Sequence, residues 1–368
     1  MVSIKKRSLR QGERIRVLVV DDSVVIRRLV THALDQDPEL EVVGVASNGE
    51  IALQRIPQLN PDVLTLDIEM PEMNGLELLR RVRKEYPRLR VIMFSTLTGR
   101  GAPATLDALA LGADDYVTKA SNEGSLDRSL ARLRDELVPK IRQFFQSPVL
   151  PPFVKTDRCQ PTGGTRSGAP PRPGITPHPR VVLIGVSTGG PNALGEILPQ
   201  LPKSFPLPIL VVQHMPPLFT RLLAERLNST CELRVDEACQ NDAVITGRIL
   251  IAPGDFHMTV VAAESTIRVS LDQTPPVNSC RPAVDALFTS AVEVYGGAVI
   301  AVILTGMGHD GLRGAEILRS HGARILAQDE ASSVVWGMPG AVVGAGLADC
   351  VLPLHGVVPE ILRLAGRH

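Results

Sequence analysis

Residues 15–23, Ile-Arg-Val-Leu-Val-Val-Asp-Asp-Ser, carry five β-favouring apolar side chains straight into two carboxylates and a hydroxyl. A short apolar run that stops abruptly at polar residues predicts a buried strand. Outward from it the pattern repeats. Further strands are predicted near Leu40–Ala46, Asp62–Leu66, Arg90–Phe94 and Asp115–Thr118, with helix-period segments between them and a last helix from Ser125 to about Gln143. Five strand–helix repeats with short connections predict an α/β, doubly wound domain with a five-stranded parallel sheet.

The whole chain has 368 residues, more than one hydrophobic core usually organises, so two domains are expected. Thirty-nine basic residues balance thirty-nine acidic ones, which removes the electrostatic footprint of a general nucleic-acid binder. Only twelve residues are aromatic, which argues against a base-stacking platform. The five cysteines, at 159, 231, 239, 280 and 350, form no C-x-x-C pair, so neither a disulfide framework nor a zinc site is expected. A reducing cytoplasm fits this usage best. No signal core follows the basic N-terminus, and the longest uncharged stretch, Ala331–Ala348, is broken by four glycines and Pro339, so no membrane span is predicted.

Between Gln146 and Arg180 nine prolines and four glycines occur without apolar periodicity. Such a segment cannot bury enough surface to order itself, and it reads as a tether. The expected organisation is a first domain at 14–135, a Pro/Gly-rich linker at 136–179 and a second domain at 180–366. In the second, VVLIGV, PILVVQ, RILIAP and AVIAVILT read as buried parallel strands. Helices are predicted at Pro217–Asn228, Pro282–Tyr295 and Leu312–His321, with a small antiparallel extension between Cys231 and Leu271.

In the first domain Asp21 and Asp22 follow the first strand, Asp67 ends the third, Ser95 ends the fourth and Lys119 follows the fifth. A doubly wound sheet gathers its C-terminal strand ends on one edge. Converging carboxylates favour a hard cation held by oxygen, most naturally magnesium, and a lysine there can neutralise a phosphoryl group. Any single aspartate of this kind more often caps a helix. The joint pattern VLVVDDS, LTLDIEMPEMNGLELL, VIMFST and GADDYVTK resembles the receiver domain of two-component response regulators. The resemblance implies that Asp67 is the phosphoacceptor, that Asp21, Asp22, Asp67 and the Glu69 carbonyl hold Mg2+, and that Ser95, Tyr116 and Lys119 read out the phosphoryl group. Ala120 stands where receivers usually have proline, which puts the usual cis peptide in doubt.

In the second domain Gly185-Val186-Ser187-Thr188-Gly189 fits G-x-S-x-G between a strand and a helix-prone segment. Glycines permit a sharp turn there, and amides opening the next helix can stabilise an oxyanion. The motif is weak alone, and Gly189-Gly190 suits a phosphate loop too, but no nucleotide fingerprint accompanies it. His214 follows PILVVQ, and Asp310 follows AVIAVILTGMG. All three lie beyond buried strands, where a serine, a base and an orienting carboxylate would meet. The order Ser–His–Asp differs from that of α/β-hydrolases. His257 and His309 are rival bases. His214 is preferred for its strand-end position, with a pKa near 6.5 raised by Asp310.

GVSTGGPNAL, VVQHMPPLFTRLLAERL, ILIAPGDFHM, SCRPAVDALFTSA, VILTGMGHDG and AQDEASSVVWGMPGAV resemble the chemotaxis receptor methylesterases of the CheB family, over about 180 to 366. That resemblance implies Ser187 as nucleophile, His214 as general base, Asp310 as its orienter, and Thr188 and Met307 lining the oxyanion region. It also implies demethylation of glutamate methyl esters on methyl-accepting chemoreceptors, deamidation of receptor glutamines, and a chemotaxis histidine kinase as phosphodonor. No cofactor is expected in the esterase half. The residues alone leave open a C-terminal binding module without turnover, or an esterase acting outside chemotaxis.

Overall fold

The computed structural model describes residues 13–95, 101–119, 126–145, 178–264 and 266–366. Two compact units divide the chain, Met1–Ser147 and Pro148–His368. Most of the expected linker, and Ala120 with its peptide bond, lie outside the described residues.

The first unit alternates β1 (Ile15–Val20), α1 (Val24–Asp35), β2 (Leu40–Ala46), α2 (Gly49–Leu59), β3 (Val63–Asp67), α3 (Gly75–Glu85), β4 (Arg90–Ser95), α4 (Gly101–Ala110), β5 (Asp115–Thr118) and α5 (Leu126–Arg142). Polar side chains set the helix starts. Asn48 accepts from the Ile51 amide, and Asn74 and Glu77 form a reciprocal capping box at α3. The sheet is parallel, in the order β2-β1-β3-β4-β5. Strand order therefore reverses between β1 and β3, and Asp21, Asp22 and Asp67 come off that crevice. The domain boundary expected at 135 falls inside α5. The helix continues because Leu137, Val138 and Ile141 are buried, and Phe144 beyond it is buried under Arg90, 5.2 Å from its ring centre.

The second unit contains β6 (Val181–Val186), α6 (Gly190–Ile197), β7 (Ile209–Gln213), α7 (Phe219–Asn228), β8 (Arg234–Glu237), β9 (Arg248–Ile251), β10 (His257–Ala263), β11 (Thr266–Asp272), α8 (Val284–Tyr295), β12 (Val299–Ile303), α9 (Leu312–Ser320), β13 (Arg324–Gln328), α10 (Met338–Gly344), β14 (Cys350–Leu352) and α11 (Leu354–Leu364). Seven strands form a parallel sheet, β14-β13-β12-β6-β7-β9-β8. Every residue of β6, β7 and β12 is buried, as expected for strands covered on both faces. The antiparallel extension is the β10–β11 hairpin with an antiparallel bridge from Ala243 to Arg268, while β8 and β9 pair in parallel with the main sheet.

The order reverses again between β6 and β12, neighbours whose following helices diverge. Gly185 in β6 makes that crossing tight: a Cβ there would lie 2.5 Å from Val284 Cγ1, at the start of α8. Gly185→Val should therefore push α8 off the sheet and destabilise the unit by about 1–3 kcal/mol through overpacking. Chemical denaturation of the variant beside the parent checks this, and an unchanged midpoint would reject the packing argument.

Candidate active site and phosphoryl-acceptor site

The parallel register pairs Val186 with Gln213. The next residues, Ser187 and His214, consequently leave adjacent strands side by side. The His214 amide donates to the Val186 carbonyl at 3.2 Å. Gln213, buried between them, donates its Nε2 to the carbonyls of Ser187 (3.0 Å) and His214 (3.3 Å). The turn after Ser187 closes with a 2.8 Å bond from the Gly190 amide to the Ser187 carbonyl, and Gly189 takes φ +79°.

Across the crevice, Asp310 is 2% exposed and accepts His214 Nε2 on Oδ2 at 2.8 Å. The amides of Val284 and Asp285, which open α8, donate to its two oxygens at 2.6 and 3.1 Å. Asn278 Nδ2 (2.9 Å) and the Gly311 amide (3.0 Å) complete the set. A carboxylate surrounded by donors stays ionised, and Asp310 is held below its ordinary pKa: burial pushes it up, and His214 with the Val284 amide and Asn278 outweigh that. Because Asp310 can only accept, the neutral imidazole keeps its proton on Nε2 and turns Nδ1 toward the cleft.

Cys280 Sγ lies 3.6 Å from that Nδ1. Among the described residues no hydrogen bond joins the Ser187 hydroxyl to His214. Burial lowers the His214 pKa, but Asp310 and Cys280 raise it further, to about 9. The direction agrees with the sequence reading, and the thiol is the contributor that reading missed.

Thr188 is buried, and its carbonyl accepts from Thr305 Oγ1 at 2.9 Å. The 305–307 loop presses on Ser187, whose amide donates to the Thr305 carbonyl at 3.0 Å, and a Cβ on Gly306 would lie 2.7 Å from Ser187 Cβ. Met307 is 40% exposed at this rim, and its amide has no hydrogen-bond partner among the described residues. The rival histidines fall elsewhere. His257 is buried, with Nε2 against the Pro275 carbonyl, and His309 is exposed.

In the first unit, Lys119 Nζ bridges Asp67 Oδ2 (2.8 Å) and Asp21 Oδ2 (2.9 Å). Burial raises the Asp67 pKa to about 6 against the pull of Lys119, with Asp21 adding to the rise. Lys119 itself is raised: burial lowers it, and the two carboxylates more than compensate. Oxygens of Asp21, Asp22 and Asp67 lie within 4.8 Å of one another, and Asp22 and Glu69 line one open cleft. Asp21 is buried, with Oδ2 facing Lys119 Nζ. An all-oxygen carboxylate cluster of this kind fits a hard divalent cation. Ser95 is buried, its hydroxyl donating to the Gly101 carbonyl at 3.3 Å and accepting from Thr105. Tyr116 is buried beneath Lys140, whose Nζ stands 5.0 Å from the ring centre.

Comparison with known proteins places both halves. The family model for CheB methylesterases matches residues 182–361, and that for response regulator receiver domains matches 17–131. The chain is 50% identical over 354 residues to a protein-glutamate methylesterase/protein-glutamine glutaminase of Trichodesmium erythraeum, covering 96% of this chain and 99% of that one. It is 52% identical over 353 residues to the protein of the same name from a Nocardioides species, covering 96% of each. The crystal structure of the Thermotoga maritima CheB methylesterase catalytic domain is 47% identical, with a TM-score of 0.50, and the match covers 50% of this chain and 98% of that domain.

The raised His214 pKa is directly testable. An NMR titration of its ring protons should show a midpoint near pH 9, shifted down in Cys280→Ala, which removes one of the raising contacts. A folded value above the unfolded 6.5 also means that the stabilisation is complete below pH 6.5 and is lost as pH rises through about 9. A midpoint near 6.5 in the intact protein would contradict the geometry.

Proposed function

The chain belongs to the family of protein-glutamate methylesterases/protein-glutamine glutaminases, and from that premise we propose that Ser187, His214 and Asp310 carry the hydrolysis and that phosphorylation of Asp67 gates it. The activity is carboxylic-ester hydrolysis. The observation that supports this assignment of roles is the 2.8 Å contact of His214 with a buried carboxylate, beside a serine leaving the adjacent strand.

Ser187 attacks the ester carbonyl of a glutamate methyl ester on a chemoreceptor. His214 Nδ1 takes the hydroxyl proton, passes it to departing methanol, and then activates the water that clears the acyl-enzyme. Asp310 holds the ring and stabilises the imidazolium through Nε2. The Thr188 and Met307 amides receive the developing oxyanion. An amide follows the same path with ammonia leaving, which accounts for receptor glutamines as second substrates. A base of pKa about 9 is strong but scarce, deprotonated in about one molecule in a hundred at pH 7, so turnover rises with pH toward that value. No cofactor takes part in these steps.

In the receiver, Asp67 is the acceptor for a phosphoryl group from a chemotaxis histidine kinase. Asp21, Asp22, Asp67 and the Glu69 carbonyl would hold Mg2+, which supplies charge neutralisation for phosphoryl transfer. Lys119 meets the phosphoryl oxygens, and Ser95 and Tyr116 respond to them. Among the described residues no helix is long and apolar enough to cross a membrane, in keeping with a cytoplasmic enzyme that meets its receptors at the membrane surface.

Ser187→Ala removes the attacking oxygen and should lower methanol release from methylated receptors by about a thousandfold or more. Gas-chromatographic methanol measurement decides it, and substantial residual turnover rejects Ser187 as nucleophile. In the full chain, Asp67→Asn should abolish stimulation by a small phosphodonor with magnesium. A variant stimulated as fully as the parent would remove Asp67 as the acceptor.

A further inference from the structure

Cys280 stands in the loop between β11 and α8 and comes against the His214 ring. Its sulfur is 3.6 Å from Nδ1 while Asp310 holds Nε2 at 2.8 Å. Sulfur, ring nitrogen and carboxylate oxygen all lie within 4.8 Å of one another. Cys280 is only partly buried. A thiol this close to an imidazole nitrogen has a base at hand to take its proton as the sulfur reacts. The esterase mechanism makes no use of this sulfur.

The other described cysteines lack that setting. Burial pushes the Cys231 thiol up. Cys350 is buried and its Sγ donates to Glu360 Oε1 at 3.7 Å. Cys239 is exposed, with its amide against the Asp242 carboxylate.

We propose that Cys280 is a redox modification site, at which a hydroperoxide reversibly switches the esterase off; the switching rests on His214 as the base. As the sulfur attacks the terminal peroxide oxygen its proton passes to His214 Nδ1, an S–O bond forms while the O–O bond breaks, and two electrons pass from sulfur to the peroxide. The departing alkoxide or hydroxide takes the proton of His214 Nδ1, leaving cysteine sulfenic acid and an alcohol or water. The new oxygen stands beside Nδ1 and occupies the one ring nitrogen available to Ser187. Two thiols return the sulfenic acid to the thiol, giving a disulfide and water.

The test uses the full chain, hydrogen peroxide and dimedone, with the adduct mapped by mass spectrometry and methanol release followed in parallel. The expected result is dimedone on Cys280, matching loss of turnover, and recovery with dithiothreitol when dimedone is omitted. Cys280→Ala, compared with its own untreated rate, should be inactivated at least about tenfold more slowly. His214→Gln should depress Cys280 labelling, which exposure alone would not do. Inactivation of Cys280→Ala at the parent rate, as oxidation of the exposed Met307 would give, overturns the proposal. So does an active enzyme whose Cys280 stays unlabelled. Labelled Cys280 in a chain with no esterase turnover overturns the functional reading instead.

Discussion

One buried carboxylate organises the catalytic unit. Asp310 accepts from His214, from Asn278, from its own neighbour Gly311 and from the two amides that open α8. The five donors come from four pieces of chain, so one charge ties together the loop after β12, the start of α8, the loop before it and the imidazole. Burying an ion is unfavourable unless its lone pairs are taken up, and five donors do so. The N-terminal amides of α8 add the positive end of the helix dipole to the balance.

The first unit solves a related problem with the opposite sign at its centre. Lys119 sits between two carboxylates at the reversal point of a smaller sheet, and its charge allows Asp67 and Asp21 to share a buried edge. Both units thus place chemistry where strand order reverses and the loops part, which leaves a crevice without any helix being removed. The difference lies in what is left over. The catalytic unit has its carboxylate satisfied by three amides and two side chains, whereas in the receiver one lysine is shared between Asp21 and Asp67.

The strands were legible because fully buried parallel strands write themselves as unbroken apolar runs, as in VVLIGV and ILVVQ. Ser187, His214 and Asp310 were legible for the same reason, since each follows such a run. Asn278 and Cys280 were not. They sit in an irregular loop whose residues have no period, and only the tertiary path of that loop carries them to the imidazole. Gln213 was hidden differently: a polar residue ending an apolar strand reads as a boundary, and its two carbonyl partners appear only once β6 and β7 are paired. The boundary drawn at 135 falls within α5, where Leu137, Val138 and Ile141 continue the helical spacing, because it followed the extent of the family resemblance and not the buried face. The rise of the His214 pKa was foreseeable from Asp310, but its extent depends on Cys280 as well.

Using Nε2 for the carboxylate leaves the working nitrogen on the short arm of the ring. Nδ1 is bonded to Cγ, so turning the ring about χ2 sweeps it through a small arc near its own backbone. The lever between main chain and proton is correspondingly stiff. Where the proton is received is then decided by the main chain of residue 214, which is bonded to Val186 through its amide and to Gln213 through its carbonyl. Alignment of Ser187 with His214 becomes a matter of strand register, not of rotamer choice. A sheet with a rise of about 3.3 Å per residue cannot slip by a fraction of a step. In this arrangement the β-sheet works as a ruler, and the accuracy of the site is inherited from the ladder on which it is built.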